Sequence, residues 1–157
     1  MMVEKYYLKS LSLNDLKALN GVCHFADCVI DQVELIGVFD IDVPIKMERC
    51  IINELKIHSC WFNEGITLKN CIINGYIDYQ MGGHNKKPIL LYQNVFTGFV
   101  NFFDCQFASR VEIVENVFVR GANLFGNLNE GFANTFESEL IVSKNIGDLD
   151  LDGFGFG

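Results

Sequence analysis

Cysteines 28, 50 and 71 stand 22 and 21 residues apart, and Phe39 and Cys60 fall midway between them. Counted from these anchors, the chain repeats every ten to twelve residues, at 28, 39, 50, 60 and 71 and again at 95, 105, 117 and 128. Each anchor opens the same pattern: one variable residue, an apolar residue, a short gap, then apolar-x-apolar. Cys50-Ile51-Ile52 leads to Leu55-Lys56-Ile57, Cys60-Trp61-Phe62 to Ile66-Thr67-Leu68, and Val95-Phe96-Thr97 to Val100-Asn101-Phe102. Short period-2 stretches broken every five or six residues are the mark of strands, and a 3.6-residue period does not fit them.

Asp27, Asn70, Asn94, Asp104, Asn116, Asn127 and Asn145 each precede an anchor, with Ser59 as a milder variant. Asn and Asp tolerate left-handed backbone and hydrogen-bond locally, so the turn belongs to the repeat, and stacked amides can bond from coil to coil. Two units make one coil of about 21–22 residues in a parallel β-solenoid, whose coils stack at the ~4.8 Å strand spacing. Cys28, Cys50, Cys71 and Val95 are then expected to form one inward ladder, and Phe39, Cys60 and Cys105 a second. A single coil cannot bury its inward side chains, so about three are needed before a core exists. The sequence holds five to six.

The unit Ala122-Asn123-Leu124-Phe125-Gly126 matches A-[DN]-L-x-x, and Cys50 to Phe62 and Val95 to Phe107 keep a five-residue step. Over residues 22–146 the chain therefore resembles the pentapeptide-repeat family, as a divergent member. Its inward pairs are mostly Cys, Ile or Val with Ile or Phe, and many half-units run 5+6 rather than 5+5. The resemblance implies an all-β, single-stranded right-handed parallel β-helix with four sides. It also implies one functional reading, an acidic outer face that imitates DNA.

Half of the chain is hydrophobic, 20% is charged and the formal charge is −8, which excludes a disordered tail and argues against direct binding to nucleic acid. No apolar run approaches the length of a membrane span, and the start lacks a secretory h-region, so a cytoplasmic protein is expected. The six cysteines read as small buried hydrophobes. Cys23-His24…Cys28 and His58-x-Cys60 lack structural zinc spacing, and neither a metal nor a cofactor is expected.

Residues 1–21 read as an N-terminal cap, with a short helix over Ser12–Asn20. Ser12 is its N-cap, Asp15 completes the cap, Leu13, Leu16 and Leu19 line one face, and Gly21 closes it. Residues 22–157 read as the β-helix. The stretch between Tyr79 and Val95 holds Gly82-Gly83 and Pro88 and reads as a loop insertion near 80–90. His84, Asn85, Lys86 and Lys87 on that loop are candidate anion-binding residues. The C-terminal end is irregular and acidic. There Phe154 and Phe156 either cover the last coil or dock on a second copy as a homodimer contact.

The leading functional expectation is a non-enzymatic binding scaffold that shows an extended acidic face to a protein partner. A self-assembling structural protein that stacks through its coil ends is one alternative. Another is a carbohydrate-active β-helix enzyme working through paired carboxylates. No catalytic residue is singled out, and His24 and His58 read as structural.

Overall fold

The computed structural model, which describes residues 2–21 and 23–155, is a parallel β-solenoid of about five complete turns. One face is a seven-stranded parallel sheet built from Met2–Glu4, Cys23–Ala26, Ile45–Glu48, Ile66–Lys69, Ile89–Tyr92, Val111–Val114 and Leu140–Ser143. From Cys23 onward these strands start 22, 21, 23, 22 and 29 residues apart. A second sheet stacks Tyr7–Leu8, Val29–Glu34, Ile51–Lys56, Ile72–Ile73, Val95–Phe96 and Val117–Phe118. From the coil of residues 66–88 onward two further sides separate. Ile77–Asp78 pairs with Val100–Asn101, and Gly83 bridges Trp61 and Gln106.

Alternation within each strand sends every second side chain inward, and the in-register pairing piles these into columns. One column runs the length of the molecule: Val3, Phe25, Met47, Leu68, Leu91, Ile113 and Val142. Another is Ile30, Ile52, Ile73, Phe96 and Phe118, whose last two rings stack at 4.9 Å and 14°. Phe107 and Phe136 repeat that geometry on another side, at 5.1 Å and 8°. Rings one above another keep apolar contact between the upper coils, and aliphatic side chains do so between the lower ones. Filling is not complete: an apolar void of about 40 Å³ lies mid-solenoid between Leu55, Ile77, Val100 and their neighbours.

At the first corner the expected Cys28–Cys50–Cys71 ladder is present, but Val95 is not its next member. Val95 pairs with Ile72 and Val117, one position further on. The corner column is Cys28, Cys50, Cys71, Asn94, Asn116 and Asn145, and the two residue types make equivalent bonds. The Cys71 thiol donates to Met47 O while its sulfur accepts from Cys50 N at 3.4 Å. Asn94 Nδ2 donates to Leu68 O while Oδ1 accepts from Cys71 N at 2.9 Å. Asn116 and Asn145 repeat this, each Oδ1 also accepting the Nδ2 of the asparagine one coil below. Each inward side chain thus satisfies a backbone N–H and a C=O that strand pairing leaves open at the bend.

The left-handed residue sits just before this column. Lys5, Asp27, Arg49, Asn70, Gln93, Glu115 and Lys144 all have φ between 52° and 58°. In the lower coils Asp27 and Asn70 take the turn as expected, with Arg49 taking it between them and Lys5 below them. In the upper coils the Asx residue moves inward, and Gln93, Glu115 and Lys144 take the turn instead.

At the second corner Phe39 does not share a column with Cys60 and Cys105. It is 53% exposed and lies against Trp61, while Cys60 and Cys105 are buried.

The short helix is Leu13–Ala18, with Ser12 as N-cap and a reciprocal Ser12–Asp15 capping box. The strands Met2–Glu4, Tyr7–Leu8 and Leu11–Ser12 precede it and pair with the next coil. Residues 2–12 therefore already form a solenoid rung, which the helix completes by burying Leu16.

Stretch 80–90 is not a protruding insertion. The coil that contains it is one or two residues longer than its neighbours, and Ile89–Tyr92 is an ordinary strand of the first sheet. Gly82 is there because a Cβ would strike the Tyr79 ring, and Gly83 because a Cβ would lie 2.2 Å from Gln106 O. The true excursion is in the 29-residue step before Leu140, around residues 128–134. Beyond it, residues 148–153 lie along residues 122–127, joined by Ala122 N to Asp148 O, Phe125 N to Leu149 O and Asn127 N to Asp152 Oδ1.

Candidate functional site

His84 lies against Trp61 with ring centroids 4.1 Å apart and planes tilted by 36°, and Trp61 lies against Phe39 at 4.8 Å and 51°. Trp61 pairs with Gly83 across the rungs, so no side chain at 83 blocks the contact and the ring of His84 takes that place. Trp61 Nε1 donates to Met81 O at 3.4 Å, which fixes the indole against the corner. Three coils thus contribute one outward aromatic ridge on a rigid scaffold. Asp40 and Asp42 are exposed and Glu64 is half-buried; among the described residues none of them forms an ion pair. Asp42 accepts from Asn63 Nδ2 at 3.0 Å.

The four candidate residues 84–87 divide at this ridge. His84 joins it. Lys86 and Lys87 are exposed beside it, and their backbone N–H groups both donate to Asn63 O. Asn85 is fully buried and its Nδ2 donates to Lys87 O, so it shapes the bend from inside and offers no surface contact. Sequence reasoning does not reach Phe39 and Trp61 as site residues, because the period-2 alternation places Phe39 inward with Cys60. The available signal was an aromatic pair 22 residues apart, one coil length.

Phe154 folds back on its own chain, its ring 4.6 Å from that of Phe103, which also meets Phe132 at 5.2 Å. Phe156 lies outside the described residues. Arg120 lines an open groove of about 400 Å³ with Phe99, Leu151 and Phe154.

Several other outward charges are paired, some across rungs and some two residues apart on the same rung. Arg49 makes a two-pronged contact with Asp27 at 2.7 and 3.0 Å, which holds that carboxyl below its usual range. Lys56 meets Glu34 and Glu54, Arg110 meets Glu112 and Glu139, and Lys144 meets Glu115. Hydrogen bonds from Gln93, and the Lys144 charge, keep Glu115 low as well. His24 bonds Glu48 at 2.9 Å, and His58 bonds Asp78 at 3.0 Å, each one coil away. Tyr7, Asp31, Asn53, Asn74 and Thr97 form a further outward hydrogen-bonded line. The two carboxylates that share Arg110 are Glu112, on the strand Val111–Val114, and Glu139, just before the strand Leu140–Ser143 one coil above.

All six cysteines are buried and free. Burial pushes the Cys60 and Cys105 thiols far above their ordinary range. Among the described residues no group of three or more His, Cys, Asp or Glu is arranged to hold a metal ion, and no helix is long and apolar enough to cross a membrane.

No family model, curated protein or solved structure matches the chain.

Proposed function

We propose that this chain is a non-enzymatic binding scaffold built on a pentapeptide-type repeat, and that it docks a protein partner on the ridge of Phe39, Trp61 and His84. The repeat type is supported by the four-sided coil and by Ala122 and Leu124, the inward pair of the best-matching unit, which are both buried. The observation that carries the function is the ridge itself. Phe39 is exposed and Trp61 and His84 are half-buried, and partly exposed aromatic rings in a line on a rigid surface are what protein interfaces use as anchors, Trp above all. Asp40 and Asp42, which form no ion pair among the described residues, make the Phe39 end of the ridge acidic, while Lys86 and Lys87 flank its His84 end with Glu64 nearby; the Phe39 end suits Lys or Arg of a partner segment. A continuous imitation of duplex phosphates is less favoured, because Arg49, Lys56, Arg110 and Lys144 interrupt the acidic surface.

The test is a photo-crosslinking residue placed at Gln106, beside the ridge, in native-like extract, with and without Trp61→Ala and Phe39→Ala. Capture of one defined basic protein, lost in the double variant at unchanged melting temperature, supports the reading. Capture that is indifferent to both substitutions contradicts it.

A further inference from the structure

We infer that the two ends of the solenoid are docking surfaces for each other, so that copies of this chain associate head to tail. Three features carry this.

The first is the open sheet edge at each end. Met2–Glu4 and Leu140–Ser143 are the outermost strands of the same parallel sheet, each paired on one side only. Met2, Val3 and Glu4 occupy the same columns as Ile141, Val142 and Ser143. A second copy set on the last rung would continue the inward column from Val142 to Val3 in the strand direction already present. Unpaired edges of this kind are templates for strand addition.

The second is an apolar mouth at the N-terminal end, about 290 Å³, between Val3, Leu8, Leu11, Leu19 and Phe25. The helix covers only part of this rung. At the opposite end Phe136, Leu140, Val142 and Leu149 are half-buried, packed from below and not from above. These are the side chains that a stacked copy would bring over the mouth.

The third is charge, and it selects a second copy over other occupants. The first rung carries exposed Lys5, Lys9 and Lys17 against Glu4 and Asp15, whose carboxylate is engaged by Ser12. The last carries exposed Glu130, Glu137, Glu139, Asp148, Asp150 and Asp152 against Lys144, with Arg110 meeting Glu139 and Arg120 lining the groove beside Asp152, so its net charge stays negative. Like ends repel and unlike ends attract, so a symmetric tail-to-tail dimer is disfavoured and the heterologous contact favoured. Such a contact does not close on itself and yields a linear series.

The experiment is sedimentation velocity on the full chain across the micromolar range at low and high salt. Mass is expected to rise in whole-protomer steps of 17.8 kDa and to fall as salt screens the ends. Two exposed-charge variants then isolate the ends. Lys5→Glu/Lys9→Glu/Lys17→Glu blocks one, and Glu137→Lys/Asp148→Lys/Asp150→Lys blocks the other, with circular dichroism confirming that both fold. Each block puts like charges on both ends, so each variant alone is expected to be a single protomer. An N-end-blocked variant mixed with wild type is expected to terminate growth and shorten the series. A wild-type chain that stays a single protomer at every concentration overturns the inference. So does a dimer that persists unchanged in both blocked variants, which would mark a symmetric contact elsewhere. Neither outcome touches the aromatic ridge, whose test is separate.

Discussion

Cys71 and Asn94 occupy the same corner position in successive coils, and the Cys71 amide donates to Asn94 Oδ1 at 2.9 Å. Below this point the ladder is built from thiols and above it from carboxamides, yet both accept a backbone N–H from one coil and donate to a carbonyl of another. Sulfur is the weaker partner in each bond. The asparagines therefore supply most of the corner's polar stabilisation, and the cysteines add more by apolar burial.

Removing a carboxamide leaves backbone groups buried without partners. Asn116→Ala strips the acceptor from Asn94 N and the donor from Leu91 O, and is expected to cost about 2–5 kcal/mol in chemical denaturation. Asn94→Cys, which restores the chemistry of the coil below, is expected to cost clearly less than Asn94→Ala. Equal losses for the two would mean that the thiol does not substitute for the amide.

The left-handed column tolerates charged residues at a conformational cost. At Lys144, φ 55°, Gly or Asn is expected to match or exceed the wild-type stability, whereas Val is expected to lose roughly 1–2 kcal/mol. Thermal melts of the three variants give the order directly, and a Val variant as stable as the Gly variant would contradict the turn geometry.

Stacked rings carry the upper coils. Phe107→Ala, which leaves Phe136 without its neighbour, is expected to cost about 3–5 kcal/mol. The mid-solenoid void runs the other way: Val100→Ile adds one methylene beside it and is expected to gain up to about 1 kcal/mol. Midpoints in denaturant report both signs.

The buried thiols set an alkaline limit. Cys60 and Cys105 have native pKa values raised by burial, so their stabilising contribution is complete below the unfolded thiol value of 9.0 and is lost as pH rises above it. Tyr92, raised to about 12 by desolvation and its bond to Glu112, acts in the same direction from 10.0 upward. Unfolding free energy is expected to stay level from neutral pH towards 9 and then decline. Thiol reagents at neutral pH are expected to modify none of the six cysteines until the chain unfolds.

The repeat length, the parallel stacking, the cysteine ladder and the Ser12–Asp15 cap were legible because burial and capping write themselves into hydropathy and spacing. The corner switch from Cys to Asn was not. Hydropathy separates these residues although their hydrogen bonds here are equivalent, so apolar Val95 took the anchor that belongs to Asn94. Gly82, Gly83 and Pro88 carry the usual signals of a loop. In the fold Gly82 and Gly83 mark close approach to Tyr79 and Gln106, and Pro88 lies against Gly65, all within a regular coil. The ridge was half-visible: His84 stood out as a residue type, but its contact with Trp61 depends on the register between coils.

The stacking of residues one coil apart is tested most directly by cross-strand nuclear Overhauser effects at the corner amides in solution. Contacts linking Cys50 to Cys71, Cys71 to Asn94, Asn94 to Asn116 and Asn116 to Asn145 are expected, all at separations of one coil. A network in which those amides instead contact residues at steadily shrinking separations, as in antiparallel hairpins, contradicts the solenoid.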